Sequence, residues 1–112
     1  MSTSSNFISK ITRHIRKNVH KPDYQISDLC GEVKLSRSQV YRKIKEISGR
    51  TFTDLLYQAR MDKSLTLLQS NQHNISEIAS KVGFRDTSYF IRSFRKKYGV
   101  TPGQFRERIA VA

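Results

Sequence analysis

The chain has a single cysteine, Cys30, among 112 residues. One thiol excludes an internal disulfide and offers no cysteine spacing for a metal, which agrees with a reducing compartment. No apolar run approaches the ~20 residues that a membrane-crossing helix needs, and no apolar stretch of the signal-peptide type follows Met1. A soluble, cytoplasmic protein with no membrane partner is therefore expected. Paired carboxylates, a nucleophile triad and a phosphate-cradling glycine loop are also missing, so no enzyme is expected. His14, His20 and His73 share no ligand spacing and read as surface residues, and neither a metal nor a cofactor is anticipated. Strand-type alternation is absent, which leaves an all-α class.

Acids are scarce as well, nine against 21 lysines and arginines, for a net charge of +12. The placement of that charge is more telling than its size. Residues 34–50 hold six cations (Lys34, Arg37, Arg42, Lys43, Lys45, Arg50) and one acid, Glu46. Residues 81–97 again hold six (Lys81, Arg85, Arg92, Arg95, Lys96, Lys97) and one acid, Asp86, so the two windows supply +10 of the net charge. Such clustering points to a polyanion rather than to a generally solvated basic face.

The two windows are copies of one pattern. Ser38, Val40, Arg42, Ile44, Lys45, Gly49 and Thr51 recur as Ser88, Phe90, Arg92, Phe94, Arg95, Gly99 and Thr101, fifty positions on. At about 100° per residue, Val40 and Ile44 point one way and Ser38, Arg42 and Lys45 nearly the opposite way. Phe90 and Phe94 against Ser88, Arg92 and Arg95 repeat that division. Each copy is thus a helix with a buried seam and a cationic edge. The preceding segments match at a spacing of forty-nine: Ile26-Ser27-Asp28-Leu29 and Val33 answer Ile75-Ser76-Glu77-Ile78 and Val82, with one residue of difference in the turns. A short helix, a tight turn and a second helix, made twice, is the layout of a double helix-turn-helix DNA reader.

In chain order, residues 1–5 read as a flexible polar stub, and Phe7, Ile8, Ile11, Ile15 and Val19 as the inner stripe of a supporting helix that Pro22 and Asp23 end. Ile26–Val33 is a short helix with Ile26, Leu29 and Val33 inward and Cys30 as a small core residue. Gly31 within it lowers helicity by about 1 kcal/mol relative to alanine, which a close helix–helix approach would justify. Ser36 and Gln39 form a capping box at the start of the first reading helix, 37–48, which Gly49 ends. From Thr51 a long helix runs to about Ser70, carried by Phe52, Leu55, Leu56, Ala59, Leu65 and Leu68. At about 28 Å it approaches the ~34 Å between successive major-groove faces. Asn74 and Glu77 box the next start, Asp86 caps the second reading helix, 87–98, and Thr101-Pro102-Gly103-Gln104 opens a last helix to about Ile109. Phe84, Phe90, Phe94 and Phe105 fall on the inward side and read as packing, not as base-stacking aromatics.

Gly83-Phe84, Tyr89-Phe90, Phe94, Gly99, Thr101-Pro102 and Phe105-Arg106 resemble the signature of the AraC/XylS family of bacterial transcription regulators. The resemblance covers about 23–108, Arg60-Met61 and Leu67-Leu68 included, and departs where Ser64 replaces a usual alanine and Cys30-Gly31 the usual small residues. It implies a homeodomain-like fold of seven helices, two helix-turn-helix subdomains (about 6–50 and 74–110, within a domain of 6–112) joined by a long connecting helix (about 52–70). The first half, in Pro22-Asp23-Tyr24 and in Leu35-Ser36-Arg37-Ser38-Gln39-Val40-Tyr41-Arg42-Lys43-Ile44-Lys45, is similar to the C-terminal output domains of hybrid two-component regulators. By analogy with the family, Arg37, Ser38, Tyr41 and Arg42 read bases in one major groove and Thr87, Ser88, Tyr89 and Arg92 in the next. Ser36, Lys45, Arg85, Arg95 and Lys96 are placed at phosphates, and Asp86 is a plain cap.

The partner implied is double-stranded DNA, with contact to RNA polymerase allowed beside it. The piece is expected to be monomeric, and a full-length dimer on repeated sites would bind more tightly. The competing readings are a stand-alone small activator and a non-specific binder of RNA or an anionic surface. The second is disfavoured because RNA readers expose stacking aromatics and membrane helices keep a broad apolar face.

Overall fold

Helix starts in this protein are written in side chains. In the computed structural model, which describes residues 3–111, Ser36 Oγ accepts the Gln39 amide at 3.2 Å while Gln39 Oε1 accepts the Ser36 amide at 2.9 Å. Asn74 with Glu77 and Thr101 with Gln104 form the same reciprocal box, and Thr51 with Asp54 makes a fourth. Those bonds to Thr51, backbone first, hold the Asp54 carboxyl below its ordinary range.

The described residues form seven helices, α1 (Thr3–Asn18), α2 (Ile26–Val33), α3 (Arg37–Ser48), α4 (Phe52–Ser70), α5 (Ile75–Lys81), α6 (Thr87–Tyr98) and α7 (Pro102–Val111), and contain no strand. α1 begins inside the segment expected to be a flexible stub: Thr3 to Ser5 are helical, while Met1 and Ser2 lie outside the described residues. α7 likewise runs two residues past the expected Ile109.

The chain divides into two units, with α4 passing from the first to the second between Ala59 and Arg60. The first unit packs α1, α2 and α3 on one another. Its core takes Ile11, Ile15 and Val19, Leu29 from α2, Val40 and Ile44 from α3, and Phe52 and Leu56 from α4. Each fully buried aliphatic side chain contributes roughly 1.5–3 kcal/mol, opposed by conformational entropy. Tyr24 closes this core, its ring 5.6 Å from those of His14 and Phe52 and its hydroxyl 2.7 Å from His14 Nδ1. His14, expected at the surface, is therefore half-buried, because the segment after Pro22 folds back on α1. Burial, and then the nearby Asp28 carboxylate, push the Tyr24 phenol well above its ordinary pKa.

The second unit is aromatic. Phe84 meets Phe90 at 5.4 Å, Phe90 meets Phe94 at 6.0 Å, and Phe94 meets Tyr98 at 4.7 Å and Phe105 at 5.9 Å. Phe90 and Phe94 are wholly buried, as the periodicity requires of a packing stripe. Arg106 reaches the last turn of α4, where Nε donates to the Leu68 carbonyl at 3.3 Å, supplying a partner that the helix end lacks. α4 does not carry one continuous stripe. Phe52 and Leu56 are buried in the first unit, and Met61, Ser64 and Leu68 in the second. Ser64 is fully buried, and its hydroxyl donates to the Met61 carbonyl at 2.7 Å.

The two tight turns share one backbone device. Lys34 (φ 56°) and Gly83 (φ 85°) are left-handed, and the residue after each donates back across the end of the short helix, Leu35 to Cys30 at 3.4 Å and Phe84 to Ala79 at 2.9 Å. Gly31 does not serve a close approach: a β-carbon there would meet nothing within 4 Å.

Candidate nucleic-acid interface

On α3 the division between seam and edge is complete. Val40 and Ile44 are fully buried, whereas Arg37, Ser38, Tyr41, Arg42 and Lys45 are exposed. On α6, Phe90 and Phe94 are buried while Ser88, Tyr89, Arg92, Arg95 and Lys96 are exposed, and Arg85 is exposed in the turn before them. Among the described residues Arg37 and Arg42 have no hydrogen-bond or ion-pair partner. Their guanidinium groups keep all their donors for a ligand, and an arginine so placed can pair bidentately with guanine O6 and N7.

The structure brings Arg37, Ser38, Tyr41 and Arg42 together around one open groove, which Ile26 of α2 also lines. Ile26 packs against the core, as its helical spacing reads, and, being only half-buried, also faces this groove where α2 lies on α3. Several expected contacts carry a second duty. Both polar groups of Ser36 serve its capping box, although its hydroxyl hydrogen is still available to a phosphate. Lys45 Nζ donates to the Gly49 carbonyl at 3.5 Å. Thr87 is half-buried, its Oγ1 3.3 Å from Ser76 Oγ. Tyr89 lies against Phe84 at 5.6 Å, with the Arg92 guanidinium 5.9 Å from the centre of its ring. Asp86 acts as a cap, its Oδ1 accepting the Ser88 and Tyr89 amides at 2.7 and 3.3 Å.

No group of three His, Cys, Asp or Glu side chains among the described residues could hold a metal, and no helix among them is long and apolar enough to cross a membrane. The family model described as a helix-turn-helix domain matches residues 29–108. The chain belongs to the AraC-type helix-turn-helix family. This AraC-type domain is 38% identical over 105 residues to the transcriptional activator AggR of Escherichia coli, covering 94% of this chain and 39% of AggR. It is 28% identical over 107 residues to histidine kinase P4 of Formosa agariphila, covering 96% of this chain and 8% of that protein. The C-terminal domain of AraT, a response regulator from Geobacillus stearothermophilus, superposes with a TM-score of 0.86 at 32% identity, over 96% of this chain and 88% of that one. The AraC-type chain thus spans well under half the length of AggR and less than a tenth of P4. It is a DNA-binding domain of the kind that transcription regulators carry, the C-terminal domains of response regulators among them.

Proposed function

We propose that this domain binds double-stranded DNA sequence-specifically by placing α3 and α6 in successive major grooves. The observation that carries the reading is the doubled edge: two helices of one pattern, each with its apolar seam buried and its cations outward. Arg37, Ser38, Tyr41 and Arg42 read bases in one groove, and Thr87, Ser88, Tyr89 and Arg92 in the other. Ser36, Lys45, Arg85, Arg95 and Lys96 hold phosphates and set register. In this reading the subdomains are about 6–50 and 74–110, and the helix of about 52–70 spaces them. The likeness to AraT and to histidine kinase P4 supports an output domain of a larger two-component regulator over a stand-alone activator. Such a regulator works in the cytoplasm, contacts RNA polymerase beside DNA, and dimerises through parts outside this monomeric piece.

The test is selection of random duplexes by the purified domain, with the winners rebound across a salt series. A bipartite motif with half-sites about 10 bp apart is expected. Arg42→Ala should weaken one half and Arg92→Ala the other, each by about 1–3 kcal/mol, while Lys96→Ala should reduce the salt slope by about one without changing preference. Binding with no enriched motif, indifferent to both arginine changes, would leave only a polyanion binder.

A further inference from the structure

The geometry points to a thymine-methyl seat in the first half-site, formed by Ile26 and Tyr41 between Arg37 and Arg42. The inference rests on the DNA-reading assignment of α3 and goes beyond it in naming a base and a residue outside the reading helix. Ile26 is the first residue of α2 and is only half-buried, and it shares an open groove with Arg37, Ser38, Tyr41 and Arg42. The lining of that groove is mostly apolar, and two of its residues are arginines. Tyr41 is 50% exposed, one of two large apolar side chains left at the surface among the described residues. The other, Tyr89, has Phe84 and Arg92 against its ring, whereas Tyr41 has no ring or cation partner among the described residues. An unpartnered ring beside an isoleucine, between two unpaired guanidinium groups, suits an apolar feature embedded in a polyanion.

Duplex DNA offers one such feature in its major groove, the C5 methyl of thymine. Charge complementarity argues for this occupant over an apolar peptide, because Arg37 and Arg42 on either side would need two acids of that peptide. The second unit lacks the seat. Ile91, itself half-buried, stands at the position of Tyr41, and Thr87, bonded to Ser76, at that of Arg37. Sensitivity to a methyl is therefore confined to one half-site, and the thymine lies next to a guanine held by Arg42.

Replacing thymine by deoxyuridine removes only the methyl. The experiment scans each thymine of a selected duplex in this way, with the wild-type domain, Ile26→Ala and Tyr41→Ala, and circular dichroism checks that the variants are folded. One position in the α3 half-site should lose about fourfold in affinity, which is about 0.8 kcal/mol at 25 °C. That loss should vanish in Ile26→Ala and persist in Arg92→Ala. Should Ile26→Ala fail to fold, Ile26→Ser and Tyr41→Ser carry the comparison. A selected motif with no uracil-sensitive position, or one whose sensitivity survives both the Ile26 and Tyr41 changes, overturns the seat and leaves the DNA-reading assignment standing. The absence of any selected motif overturns both.

Discussion

Gly31→Ala tests the packing of α2 directly, because the structure and the resting expectation for a helical glycine disagree there. The glycine lies within α2, is exposed, and has nothing within 4 Å of where a β-carbon would stand. Alanine then costs nothing in contacts and removes freedom from the unfolded chain, which favours the folded state by about 0.5–1 kcal/mol. For a domain of this size the midpoint should rise by roughly 2–8 °C. Thermal melts and urea titrations by circular dichroism would measure it, and an unchanged m-value would show that the unfolded state is comparable. Gly99→Ala provides the opposite sign within the same fold: at φ 80° a side chain is strained, and about 1–2 kcal/mol should be lost. A lower midpoint for Gly31→Ala would mean that the β-carbon does meet a neighbour, and the open surface on α2 would be refuted.

Lys34→Gly should stabilise the first unit by up to about 1 kcal/mol, since it relieves a left-handed residue that the second unit already supplies as Gly83; a loss in urea denaturation would contradict this. Ser64→Ala should change stability by less than about 1 kcal/mol, because the buried hydroxyl bonds only to its own helix at Met61; a larger loss would reveal a further partner. Tyr24→Phe should cost about 0.5–1.5 kcal/mol near neutral pH through the lost bond to His14. Because the folded state resists ionising Tyr24, wild-type stability is full below the ordinary tyrosine pKa of about 10 and falls as pH rises past it. The deficit of Tyr24→Phe should therefore shrink above that pH, and a constant deficit would refute the linkage.

What was legible in the sequence is what period and capping chemistry dictate. Ser36-x-x-Gln39 and Asn74-x-x-Glu77 specify helix starts that need no tertiary information, and Val40 with Ile44 against Arg42 specifies a face. Where an interaction joined residues distant in sequence, the period said nothing. His14 meets Tyr24 only after the chain has turned at Pro22, and Ile26 reaches the groove only through the way α2 lies on α3. α4 differs in another way: one stripe through Phe52 and Leu68 leaves out Met61 and Ser64, which are buried because each unit buries its own part of the helix. The glycine at position 31 suggests a close helix–helix approach in the sequence, but its surroundings are open.

The duplication itself separates scaffold from reading surface. Positions that build the scaffold repeat in kind: seam residues stay apolar, Gly49 and Gly99 end the reading helices with positive φ, and the tight turns keep a left-handed residue at Lys34 and Gly83. On the edges Ser38, Arg42 and Lys45 repeat as Ser88, Arg92 and Arg95, but two positions differ. Arg37 answers to Thr87 and Tyr41 to Ile91, so the first edge adds a second guanidinium group and a ring that have no partner among the described residues, whereas Arg92 on the other lies over Tyr89. A braced Arg92 has less freedom to lose on binding, where immobilising a long side chain costs about 0.5–1.5 kcal/mol. In the proposed reading Arg42 bears more of that cost but has a richer set of neighbours for discrimination. If α3 and α6 read DNA as proposed, their unlike edges call for an asymmetric site rather than a palindrome, and an asymmetric site gives the bound protein a direction along DNA.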